Sequence, residues 1–527
     1  MTRPIPARPN LEFDRKQAKA LLDAAKSSQP EARTRFEAHH PRGIPPEPRM
    51  ADALLVVARE YGFRSWPQWK AFVETRAMDR PRQAETAARA VCSNNLAKAR
   101  VLLEADPGLA REDPLLACAC GEVETVRAAI KRDPDFAKRK GWNGEPLQYA
   151  CFSRWLRVDP QRSAGIVEVV RLLLAHGADV DAQFVESMDG PWETALFGAA
   201  GIANHAGLTR MLLEAGADVN EGVPEPAPGE LKPAGTEALY HACEFRDTAS
   251  LALLLDARPY PAFVSYCMGR ALDFENPEAV RLFLDHGANP NFRIPWFENR
   301  THLHRAIENR RSATVIEALL DAGADVRLQD ARGLTPYQYA VRYGRGEIVA
   351  LLEKRGPCEA TEQDRALGRA VRGEAVEKGV AIPPDLLCDA ARRDDVLGIE
   401  TLLAAGAEID ACSIGDYGTP PLHWAAWRGR LAAVRTLVEH GADIHWTNCW
   451  GGAALGTTIH GSANCFDPDG GPAMRLPEEA LAGPYPEIVE YLITHGAKLP
   501  ESIWGGSDAV REALRRHGVP DQEESEG

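Results

Sequence analysis

Four groups of residues in this 527-residue chain have types and spacings that could do chemistry. The first is "HGSANC", which places His460, Ser462, Asn464 and Cys465 together and invites a nucleophile-and-base reading. Hydrolases, however, need the base oriented by a third group, and no G-x-S-x-G elbow surrounds Ser462. A turn that ends the first helix of a unit and begins an insertion explains the same residues. The second group is the H-x-H pair His302 and His304, with no third metal ligand near in sequence. The third is "DPDGG", Asp467 to Gly471, with Glu478 at the twelfth place of a calcium loop. Its obligatory sixth-place glycine is Pro472, which argues against calcium. The fourth is "CAC", Cys118 and Cys120, whose i, i+2 spacing on a helix points the thiols to different faces, as small packing residues do. Eleven cysteines, an odd number without paired C-x2-C motifs, fit reduced, buried thiols in a cytoplasmic protein. There is no phosphate loop, dinucleotide fingerprint or H-E-x-x-H. No catalytic, cofactor or metal residue is therefore expected.

A fifth candidate, His423 in "GTPPLHWAAWRGRLAAVRTLVEHGADI" (418–444), is tested by the chain itself. The tail of this stretch recurs with glycines at 177, 216, 287, 323, 406, 441 and 496, and a degenerate copy carries Arg258 in the glycine place. Gly287 to Gly323 is 36 residues and Gly406 to Gly441 is 35. In the other copies the His423 position holds Gln148, Phe197, Tyr240, His304, Gln338 and Gly456. Neither a base nor a ligand tolerates Phe, whereas a side chain that fills space and bridges backbone groups does. His176, His286, His440, His495 and His517 each precede a glycine. There an imidazole suits the last carbonyls and the negative end of a helix.

The elements behind this pattern are two helices and a turn. Ala425 and Ala426 keep the first helix thin; Leu431, Val434, Leu437 and Val438 form the buried stripe of the second; Gly441 stops it. A period in the mid-thirties with T-P-L-H at its head resembles the ankyrin repeat over roughly residues 84–518. Pro420 departs from the pattern by standing where the capping Thr belongs. The resemblance implies an all-α solenoid with short β-hairpin fingers, of about eleven partly irregular helix-turn-helix units. The expected organisation is a helical module over 1–80, an array over 81–518 with insertions at 221–235 and 460–486, and an acidic, disordered tail over 519–527. The "LLVVAREYGFRSWPQWKAFVE" segment of the module is similar to helical modules ahead of repeats in bacterial ankyrin-repeat proteins.

A net charge of −15 argues against nucleic acid as the general partner. No apolar run is long enough to span a membrane, and no signal-peptide core is present. What the resemblance implies instead is recognition of a protein partner on the concave face; the expected location is cytoplasmic, and the sequence leaves the oligomeric state open, with a monomer as the expectation. That face is built from the fingers and the ends of the first helices. At those positions stand Tyr343, Arg392, Arg393, Tyr417, Trp427, Arg428, Trp446 and Trp450, residue types that binding hot spots favour. The alternative is an enzyme or small-ligand protein using the 460–486 insertion with His460 and Cys465.

Overall fold

The computed structural model describes residues 3–6, 9–41, 43–63, 65–76, 78–93, 96–142, 144–184, 193–226, 237–294, 298–375, 379–412, 418–448, 451–465 and 483–520. Tyr417, Trp450, the "DPDGG" stretch and most of both long insertions lie outside them. The chain divides into two compact units, Met1–Phe184 and Val185–Gly527.

The first unit opens with helices Leu11–Lys26, Pro30–His39, Met50–Glu60 and Trp66–Arg76. Their shared core includes Leu21, Phe36, Val56, Val57 and Trp69. Asp14 is buried within it and accepts hydrogen bonds from the Tyr61 hydroxyl (3.0 Å) and the Trp69 indole (2.9 Å). The rings of Tyr61 and Trp69 stack at 4.2 Å, so one carboxylate fixes two elements. The Trp66–Arg76 helix packs on Leu96–Ala105. From there helices alternate, one inner and one outer: Arg80–Cys92 with Leu96–Ala105, Pro114–Cys120 with Val123–Arg132, Pro146–Cys151 with Pro160–Ala175. Cys118 and Cys120 are both buried in the second inner helix, and burial raises both thiols, Cys120 to about 12. They are packing residues.

The second unit continues the alternation. Inner helices include His302–Glu308, Pro336–Arg342, Pro384–Arg392, Pro421–Trp427 and Ala454–Asn464; outer ones include Ala313–Asp321, Gly346–Glu353, Val396–Ala405, Leu431–Glu439 and Tyr485–Thr494. Successive outer helices stack on one another, as Leu431–Glu439 does on both its neighbours. One finger forms a regular hairpin, Arg293–Ile294 antiparallel to Arg300–Thr301. Among the described residues the alternation breaks at Glu362–Val371, which has no outer partner helix of its own there; it packs on the inner helix Pro336–Arg342 and on the outer helix Val396–Ala405.

The local chemistry follows the repeat. Gly177, Gly216, Gly287, Gly323, Gly406, Gly441 and Gly496 all adopt φ between 80° and 106°, the left-handed turn that a Cβ disfavours. Arg258, in the degenerate copy, is forced into the same region at φ 61°. His176, His286, His440 and His495 each place Nδ1 at 2.7–2.8 Å from the carbonyl four residues back. His517 pairs with Glu490 instead. Pro420 caps its helix without any side-chain bond. Among the described residues no helix is long and apolar enough to cross a membrane.

Candidate partner interface

His423 is fully buried, and its Nε2 lies 3.2 Å from the Gly452 carbonyl oxygen of the next finger. Gln148 shows what the position does. Its carbonyl accepts from the Glu145 amide at 2.6 Å, capping its own helix, while its amide donates to Ala182 O at 2.9 Å. His304 performs both tasks, accepting from Thr301 N at 3.2 Å and reaching Leu334 O at 3.0 Å. His302 turns elsewhere, to Ser265 O at 2.8 Å, and stacks on Phe292. The H-x-H pair is therefore framework. Burial pushes both imidazoles down to about 4. Among the described residues no three His, Cys, Asp or Glu gather as a metal site.

The "HGSANC" residues separate as well. Ser462 Oγ donates to Ile459 O (2.7 Å) and accepts from Ser507 N (2.9 Å), so the hydroxyl is occupied by backbone. Cys465 is 2% exposed and neighbours the Tyr485 hydroxyl. The imidazole of His460 lies against aromatic rings instead.

The surface residues expected from the register divide into three groups. Tyr343 is 2% exposed and offers nothing to a partner. Its ring stacks on Tyr339 and its hydroxyl donates to Asp385 at 3.0 Å. Sequence register placed it correctly at the end of an inner helix, but Pro384–Arg392 covers it. Arg393 is half-buried and committed internally, to Asp389 (3.1 Å) and Asp395 (2.9 Å). Of the remaining described residues, Arg392 and Arg428 lie near one another at successive inner helix ends, beside Trp427. The Arg392 guanidinium lies 3.8 Å from the Trp424 ring centroid. Trp427 and Arg428 are half-buried at the end of the next inner helix, and Trp446 is 40% exposed on the following finger. Burial lowers the Arg428 guanidinium, and the like charges of Arg392 and Arg430 add to that.

Two residues join this cluster that sequence reasoning did not place there. The His460 ring stacks on Trp427 at 5.1 Å, and Trp504, 47% exposed, lies 6.2 Å beyond it. Aligning Leu422 with Leu455 puts His460 at the Trp427 position of the next unit, and Leu387 puts Arg392 at the same position one unit earlier. That signal was present. Trp504 follows the last full pair of helices, where the register ends. Two features bring the layers this close. A Cβ on Gly461 would fall 2.4 Å from the Trp427 carbonyl oxygen, so only glycine permits the approach. The Tyr485 hydroxyl donates to that same oxygen at 2.9 Å.

Stacked inner–outer helix pairs, glycine-stopped and joined by fingers, define a helical-repeat solenoid whose inner helix ends carry a cationic and aromatic surface. Comparison with known families makes the class specific. Residues 268–364 match "Ankyrin repeats (3 copies)", 387–438 match "Ankyrin repeats (many copies)" and 146–183 match "Ankyrin repeat". The chain carries ankyrin repeats over these residues. It is 33% identical over 177 residues to mouse B-cell lymphoma 3 protein homolog, a match spanning 33% of this chain and 35% of that one. It is 26% identical over 168 residues to mouse Rabankyrin-5, 32% of this chain and 13% of that one. The crystal structure of the ankyrin repeat domain of Bcl-3 aligns with 42% of this chain and 92% of its own, at 26% identity and a TM-score of 0.21. The chain thus spans about a third or less of the length of these full-length relatives.

Proposed function

We propose that this chain is a non-enzymatic, cytoplasmic scaffold, acting as a monomer. It captures a protein partner on the concave face of its repeats. In this reading the module over 1–80 caps the array over 81–518. The contact surface centres on Arg392, Trp427, Arg428 and Trp446, and the repeat register adds Tyr417 and Trp450. The observation that carries it is a row of half-buried and exposed rings flanked by guanidiniums: Trp427 stacks on His460 at 5.1 Å with Trp504 6.2 Å beyond, and Arg392 lies over Trp424, on the same inner helix as Trp427. Aromatic rings bring large contact area at low entropic cost, and arginine adds charge-assisted bonds. Residues of an inner helix that face only the core make no such row. The 26–33% identities to repeat proteins support an interaction role. The test is affinity capture on the immobilised full chain from its native cell, with bound proteins identified by mass spectrometry. Capture is expected to be lost when Trp427→Ala and Trp446→Ala are combined. Undiminished capture by that variant sinks the surface assignment.

A further inference from the structure

We propose that the surface formed by Arg392, Trp427, Arg428, Arg430, His460 and Trp504 receives an extended, acidic segment of a partner protein. This rests on the interaction reading above and names the chemistry of its ligand. Three guanidiniums gather here: Arg392 and Arg428 at the ends of two adjacent inner helices, and Arg430 at the start of the outer helix Leu431–Glu439. Arg430 spends its Nε on the Arg392 carbonyl oxygen (3.0 Å) and makes no ion pair among the described residues. The acids of the neighbouring helix and turn are already matched: Asp389 lies between Arg310 (2.9 Å) and Arg393 (3.1 Å), and Asp395 holds Arg393 at 2.9 Å. Arg428 feels Arg392 and Arg430 as like charges and Asp273 as an opposing one, and Arg392 faces Glu308 and Asp389; these three acids are already bonded to Arg305, Arg300 and Arg310. The local field is thus positive on a chain of net charge −15. Screening over roughly 8 Å at physiological salt separates the two scales. A short acidic segment senses the arginines, whereas a long polyanion also meets the negative remainder.

The aromatic side fits an extended chain. The steps from Trp427 to His460 and from His460 to Trp504 are 5.1 and 6.2 Å. Side chains on one face of an extended peptide recur about every 6.7 Å. Alternate residues can therefore lie along the ring edges and the outer face of Trp504 while carboxylates reach the arginines.

The test uses the full chain and fluorescence anisotropy. The probes are a fluorescein-labelled peptide of alternating glutamate and proline, a lysine–proline peptide of equal length, and single-stranded oligo-dT. Only the acidic peptide is expected to bind, more weakly as salt rises. Trp504→Ala and Arg430→Gln should each weaken it about tenfold at an unchanged unfolding midpoint. Equal binding of the lysine peptide or the oligonucleotide, or indifference to both substitutions, overturns the proposal. So does acidic-peptide binding that emerges only when the chain is cut after Pro520, since residues 521–527 would then be the occupant. Capture of a partner that needs Trp427 and Trp446, without acidic-peptide binding, overturns the acidic assignment alone and leaves the interaction reading standing.

Discussion

A histidine that caps its own helix and bonds to the next finger must be neutral to accept, and this gives the framework histidines a measurable signature. His302 and His304 titrate at about 4 when folded, because burial disfavours the cation, against an ordinary 6.5. Their folded values are depressed, so the stability they contribute is full above pH 6.5 and is lost as pH falls toward 4. Glutamine, which does the same work at 148, does not titrate; at 338 it caps its own helix and donates to Asp364 instead. His304→Gln should keep the fold and flatten the pH dependence of urea unfolding between pH 6.5 and 4; an unchanged slope would show that His304 does not carry it. The substitution His423→Ala, which removes the bond to Gly452, should cost about 1–3 kcal/mol. The role of these positions was legible in the sequence because the copies disagree about residue type. His460, one unit on from Trp427 in the same register position, was legible in the same way, and its ring stacks on Trp427. Cys465, at 2% exposure, is expected to resist iodoacetamide in the folded chain and react only on unfolding.

Helix ends are where the element scale is decided. The left-handed stop is satisfied by glycine in seven copies and strained at Arg258, φ 61°. A β-carbon in that region costs roughly 1–2 kcal/mol, and glycine returns part of this as chain entropy. Arg258→Gly should therefore stabilise by about 0.5–1 kcal/mol, and Gly441→Ala should destabilise by a similar amount, both read from urea midpoints. If Arg258→Gly is destabilising, the side chain has a contact that outweighs its strain. These stops could be read from the sequence since the motif is local. The lone helix Glu362–Val371 could not. Its pattern is as helical as any other, and only the missing second helix distinguishes it, an absence that insertions elsewhere in the chain imitate. The burial of Tyr343 rests on Tyr339 beside it and on Asp385, which comes from a later element. Register tells which end of a helix a residue occupies; it does not tell which later element lies across it.

At the scale of the whole second unit, that break raises a question of cohesion. Repeat arrays hold together by nearest-neighbour interfaces, so a weak layer should uncouple its two sides. Here a charged bridge crosses it. Arg310, at the end of the His302–Glu308 unit, donates to Asp389 in Pro384–Arg392 at 3.0 and 2.9 Å and to the Tyr343 carbonyl oxygen at 3.0 Å. Asp389 is buried, and burial alone would raise it; Arg310 and Arg393 reverse this and hold the carboxyl below its usual range. Removing one member of such a pair leaves a buried charge uncompensated, a loss of about 3–5 kcal/mol. Because the pair joins residues 79 apart in sequence, the loss should appear as lost cooperativity as well as lost stability. In the native chain, hydrogen exchange read by mass spectrometry should give helices Pro336–Arg342 and Leu431–Glu439 the same slowest opening free energy. In Asp389→Asn the two should diverge, one side opening while the other stays protected. The paired variant Arg310→Met with Asp389→Leu removes both charges together, and it should restore much of the stability without restoring the geometry of the bridge. If both helices instead open together in Asp389→Asn, apolar packing of the lone helix Glu362–Val371 transmits the coupling and the ion pair only adds to it.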